Sequence, residues 1–121
     1  MHATAIDRRS ADHYQWGTEC DGWHLLRGAE LSVIEESMPA GTSEVPHYHR
    51  RSEQFFYILR GEATMEVAGA LVALAAGQGL HLPPGTPHCI HNRSAAPVEF
   101  LVISRPPSHG DRVVLDAPAE R

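Results

Sequence analysis

Gly77-Gln78-Gly79-Leu80-His81-Leu82-Pro83-Pro84-Gly85-Thr86-Pro87-His88-Cys89-Ile90-His91-Asn92 is the stretch from which the fold can be read. A short run, Gly79 to Leu82, ends at two prolines and a glycine. Proline restricts φ and glycine permits its positive values, so Pro83-Pro84-Gly85 reads as a turn between strands. Such a turn redirects the chain and sets His88 at a fixed point on the next strand, His88 to His91. A second stretch upstream, Gly41 to Gly61, carries His47-Tyr48-His49. On a strand, residues two apart share a face, so both imidazoles point the same way and the Tyr48 ring points away. The polar Arg50-Arg51-Ser52 suits a tight connection to a strand that opens with Glu53-Gln54. Paired back beside His47 and His49, that strand brings one of these two side chains to the same centre. Phe55-Phe56-Tyr57-Ile58-Leu59 is apolar on both faces, so periodicity leaves open whether Glu53 or Gln54 faces inward. Three neutral imidazoles and one oxygen suit a divalent transition metal: Zn, Ni, Fe, Mn or Cu.

The rest of the chain follows the same short-strand pattern. Expected strands are Trp23 to Arg27, Leu31 to Ser37, Gln54 to Arg60, Ala63 to Val67, Ala70 to Leu74, Val98 to Ser104 and Arg112 to Leu115. They are broken by Gly, Pro and Asn, which is the signature of an all-β sandwich or barrel. Ala63, Met65 and Val67 alternate with Thr64 and Glu66, so that strand buries one face. The 121 residues suffice for one domain. The division expected is an N-terminal arm over 1–20, a single domain over 21–116 and a flexible tail over 117–121. The arm is expected to lie loose or to add a strand to a neighbour's sheet.

Lys plus Arg number 10 against 15 Asp plus Glu, for a formal charge of -5. That balance argues against an electrostatic nucleic-acid binder. No apolar run approaches the ~20 residues of a membrane span, and the first residues carry no secretory pattern, so a cytoplasmic location is expected. Cys20 and Cys89 form no CxxC pair and read as small buried residues, Cys89 pointing away from wherever His88 points.

Both stretches resemble the motifs of the cupin superfamily, G(X)5HXH(X)3-4E(X)6G and G(X)5PXG(X)2H(X)3N. Gly77, Pro83, Gly85, His88 and Asn92 meet every position of the second. Gly41, His47, His49 and Gly61 meet the first, and the 15 residues between Gly61 and Gly77 match the shortest spacing typical of small microbial cupins. Where that motif has its glutamate ligand, seven residues before Gly61, this chain has Gln54; Glu53 lies one step early. The resemblance implies an all-β, double-stranded β-helix (jelly-roll) barrel of the RmlC-like kind. It implies one divalent metal held by His47, His49, Gln54 and His88, with Glu53 as the rival fourth ligand. A neutral Gln oxygen would leave the cation its full charge and sharpen its Lewis acidity.

In that setting Phe56, Ile58, Met65, Val67 and Ile90 are expected to line the pocket, favouring a small, partly apolar organic ligand. The function expected is a metal-dependent enzyme on a small polar or chelating substrate, its reaction an isomerisation, a lysis or a dioxygenation. The alternative is a non-catalytic metal-dependent binding or sensing module. A homodimer is expected from the doubly apolar Phe55 to Leu59 stretch. His81 and His91 read as exposed or supporting histidines, Arg50-Arg51 as a solvated turn, and His2, His13 and His109 as inert.

Overall fold

The computed structural model describes residues 3–108 and 110–115, and no helix occurs among them. His2, His109 and the tail over 117–121 lie outside the described residues. Eleven strands run β1 Asp12–Trp16, β2 Cys20–Arg27, β3 Ser32–Met38, β4 His47–His49, β5 Glu53–Arg60, β6 Glu62–Val67, β7 Ala70–Ala75, β8 Gly79–Leu82, β9 His88–His91, β10 Val98–Arg105 and β11 Arg112–Val114. A six-stranded sheet has the order β1-β2-β3-β10-β5-β8 and a five-stranded sheet the order β11-β4-β9-β6-β7. All pairings are antiparallel, and the two sheets form the double-stranded β-helix barrel.

Strand parity explains the core. Val98, Phe100, Val102 and Ser104 of β10 point inward, as do Gln54, Phe56 and Ile58 of β5, and all are buried. They meet Ala63 and Met65 of β6 and Ile90 of β9 from the other sheet. Phe56 and Phe100 stack at 5.8 Å between ring centroids. On the outer face of β5, Phe55, Tyr57 and Leu59 are 39%, 37% and 41% exposed. The both-faces-apolar stretch is therefore core on one side and open surface on the other.

Within the segment expected as an arm, Asp12–Trp16 pairs with β2 of its own sheet. Tyr14 lies opposite Gly22, and Gly22 lies opposite Glu36 of β3. A Cβ at Gly22 would collide with the Tyr14 ring. The missing side chain thus lets the phenol lie across β2 and donate to Glu36 Oε2 at 2.6 Å.

The two quoted stretches are tied together through the backbone. Gly85, at φ 80°, donates its N–H to His49 O at 2.7 Å. His47 and His88 are register partners of β4 and β9. Asn92 clamps the far end of the second stretch, its Nδ2 donating to Met38 O and Ala96 O at 3.0 and 2.8 Å.

Candidate metal centre

His47, His49 and His88 come together because β4 and β9 pair and because a tight turn follows His49. Asp111 holds that turn, its Oδ2 accepting from Arg51 N and Ser52 N at 2.9 and 2.8 Å. Each of the three histidines can offer a ring nitrogen within 4.8 Å of the others'. All three residues are buried, at 3%, 5% and 4% exposure. His47 Nδ1 bonds Val45 O and His88 Nδ1 bonds Thr86 O, both at 2.9 Å. A carbonyl only accepts, so Nδ1 carries the proton in each ring and Nε2 keeps its lone pair. His88 Nε2 and His49 Nδ1 are buried with no hydrogen-bond partner.

Burial keeps these rings uncharged. Desolvation takes His47 down to about 3, with His88, Arg112 and His49 adding to it and the Val45 bond opposing. It takes His49 down to about 4, helped by His88 and Arg112. His88 is lowered by desolvation and by Arg112. Neutral imidazoles with free lone pairs are the form that binds a cation.

Of the two candidates for a fourth donor, Gln54 points inward at 5% exposure and lines the same pocket as His47 and His49. Its Nε2 donates to Ser104 Oγ at 3.1 Å, and Oε1 is buried without a partner. Glu53 points outward, where it accepts from Arg105 Nη2 at 3.0 Å and lies 2.7 Å from His81 Nε2. These orphaned, electron-rich atoms fit a borderline divalent cation such as Zn(II) or Fe(II).

The pocket beside the imidazoles has a volume of about 230 Å³, below the usual range for drug-sized ligands. Phe56 lines it, but Ile58, Met65, Val67 and Ile90 do not. Ile58, Met65 and Ile90 are fully buried in the apolar core, and Val67 packs against it. Parity gave their inward direction, but they stand at a different height in the barrel. Trp16, Ile34 and Val102 supply apolar lining instead.

Polar residues line the pocket too, and sequence reasoning missed them. Tyr14, Glu36, Glu44 and Arg112 line it, from β1, β3, the loop before β4, and β11. Burial pushes the Glu36 carboxyl up to about 7, against the Tyr14 hydrogen bond and the Arg112 charge. Burial and the Glu36 charge push Glu44 up to about 8, against Arg112 and the Ile90 N–H. One available signal was Glu36 itself, a charge at the inward parity of Ser32, Ile34 and Met38. Another was Gly22 inside a strand.

Comparison with known proteins agrees with this architecture. The family model described as Cupin domain matches residues 34–104. An uncharacterized protein of Methanocaldococcus jannaschii, MJ1618, is 33% identical over 94 residues, covering 77% of this chain and 75% of that protein. The quercetin 2,3-dioxygenase of Bacillus subtilis is 38% identical over 59 residues, 49% of this chain but 18% of that enzyme. Among solved structures, an RmlC-like cupin from Shewanella frigidimarina superposes with a TM-score of 0.79 at 19% identity, covering 89% of this chain and 95% of that one.

Proposed function

This chain belongs to the cupin family, and we propose that it is a metal-dependent enzyme acting on a small oxygen-chelating organic molecule. The observation that carries this reading is the set of neutral, lone-pair-bearing imidazoles beside a pocket also lined by the half-buried carboxyls of Glu36 and Glu44. In the proposed site His47, His49, Gln54 and His88 hold one divalent cation. Bound there, the cation supplies Lewis acidity toward a carbonyl, hydroxyl or carboxylate oxygen.

The chain's own residues supply the remaining functions. Glu36 Oε2 accepts the Tyr14 hydrogen bond, and Glu36 near its raised midpoint can take or give a proton at neutral pH. Arg112 balances the carboxylate charge and favours an anionic ligand group. Trp16, Ile34, Phe56 and Val102 offer the ligand apolar surface and exclude water there. A pocket lined by both charged and apolar side chains favours an amphipathic small acid over a purely apolar molecule. This adds an acid group to the small, partly apolar ligand expected from the sequence, although of the five apolar linings expected only Phe56 lines the pocket.

The exposed outer face of β5, carrying Phe55, Tyr57 and Leu59, supports assembly with a second copy of this chain. Among the described residues no helix is long and apolar enough to cross a membrane.

Elemental analysis of tag-free protein tests the reading. About one transition-metal equivalent should accompany the imidazole site, and His47→Ala or His88→Ala should remove it. Nuclear magnetic resonance of small hydroxy and keto acids incubated with loaded protein, under air and under argon, then distinguishes the two functional classes. Conversion in either atmosphere supports an enzyme. Binding without conversion would favour the non-catalytic sensing module.

A further inference from the structure

Behind β9, on the side away from the pocket, lies a second group of metal-binding side chains. Ile90 and Met65 point into the barrel, so Cys89, His91 and Glu66 point out of it. Glu66 stands opposite Cys89 in the β6–β9 register, and His91 follows two residues along the same face. Each of the three offers a donor atom within 4.8 Å of the other two. Glu66 Oε1 and His91 Nε2 are 3.2 Å apart. Cys89 is 1% exposed, and its thiol donates to Glu44 O at 2.8 Å.

The His91 ring is held from behind. Ser43, bridged to His91 through the backbone, places its Oγ 2.8 Å from Nδ1. When Nδ1–H donates to that oxygen, Nε2 turns its lone pair toward Glu66 and Cys89. The His91 side chain is 15% exposed and that of Glu66 is 44% exposed, so an ion can enter from solvent. Beside Glu66 and Cys89 is a depression of about 160 Å³, lined also by Pro87, His88 and Leu115, with room for water to complete a coordination shell.

We propose that Glu66, Cys89 and His91 form a second cation site, selective for thiophilic divalent ions such as Zn(II) and independent of the imidazole centre inside the barrel. One thiolate, one imidazole and one carboxylate leave a fourth tetrahedral position for water. On binding, the Cys89 thiol proton passes to solvent and a metal–sulfur bond forms. The +2 ion then meets two negative ligands, so the completed site is neutral. Oxygen-preferring ions such as Mg(II) gain nothing from the sulfur and should not compete.

Cobalt(II) is the probe, because a cobalt–thiolate bond gives a near-ultraviolet charge-transfer band that an all-nitrogen-and-oxygen site does not. Metal-stripped protein should develop the band on titration, and Zn(II) should abolish it while Mg(II) should not. His88→Ala, which empties the inner centre, should keep the band; Cys89→Ser should lose it while retaining the inner equivalent of metal. Glu66→Ala, a change at a half-exposed position, should weaken cobalt binding by about tenfold or more. Absence of the band in wild-type protein, or its survival in Cys89→Ser, overturns the proposal. Loss of the inner metal alone would instead count against the proposed enzyme.

Discussion

The interior of this barrel has two ends, and they are stabilised differently. Around Ile58, Met65, Ile90 and Phe100 the inward side chains are apolar and fully buried. Around His47, His49, Gln54 and His88 they are polar, equally buried, and in part without hydrogen-bond partners. Both ends are served by the same strands: β5 contributes Gln54 to one and Ile58 to the other, and β9 contributes His88 and Ile90. The apolar end gains its stability from dehydration and close packing. The polar end gives up some stability to keep donor atoms free, and the turn tied by Asp111 and Gly85 holds them in place.

The sharpest way to break this contrast is to cut into the apolar end. Phe100→Ala should destabilise the protein by about 3–5 kcal/mol, since it empties volume in a sealed core. Denaturant unfolding measures that loss. Gln54→Ala should cost far less in the same experiment.

A second test uses pH on metal-free protein. His47 and His49 sit at about 3 and about 4 against an ordinary 6.5. As pH falls below 6.5 the unfolded chain takes up protons that the folded one refuses, so stability drops. Glu36 and Glu44 sit at about 7 and about 8 against an ordinary 4.5. As pH rises above 4.5 the unfolded chain sheds protons that the folded one keeps, so stability falls until the folded carboxyls ionise at about 7 and about 8. The two carboxyls partly offset the imidazoles on the acid side, which makes the alkaline limb the steeper. Calorimetry in a chelator should find the highest Tm near pH 6.5, and Glu36→Gln should flatten the alkaline limb.

The finest test separates neighbours. Gln54→Ala should weaken metal binding by about tenfold or more, whereas Glu53→Ala should leave it nearly unchanged. Isothermal titration with Zn(II) reads both. Equal losses would mean that direction along β5 does not select the fourth donor.

Much of this organisation was legible in the residues. The two spaced stretches announced the barrel, and His47, His49 and His88 meet because their spacing and the Pro83-Pro84-Gly85 turn require it. Parity along β5 could not choose between Glu53 and Gln54, because Phe55 to Leu59 is apolar on both faces; only the count back from Gly61 did. Parity also gives Ile58, Met65 and Ile90 their inward direction without their height, and they lie in the core and not along the pocket. Tyr14, Glu36, Glu44 and Arg112 went unnoticed because they converge from four separate segments. Convergence of that kind comes from sheet order, and sheet order leaves no local trace in a sequence.

The pocket's phenol hangs on a border strand. β1, like β8 at the other edge, has a single neighbour in its sheet, so it is open to fraying. When that margin peels off, Tyr14 and Trp16 depart together, and Glu36 is left facing water without its donor. The durability of this lining is therefore set by a five-residue hem, and amide exchange along Asp12–Trp16 would time its opening.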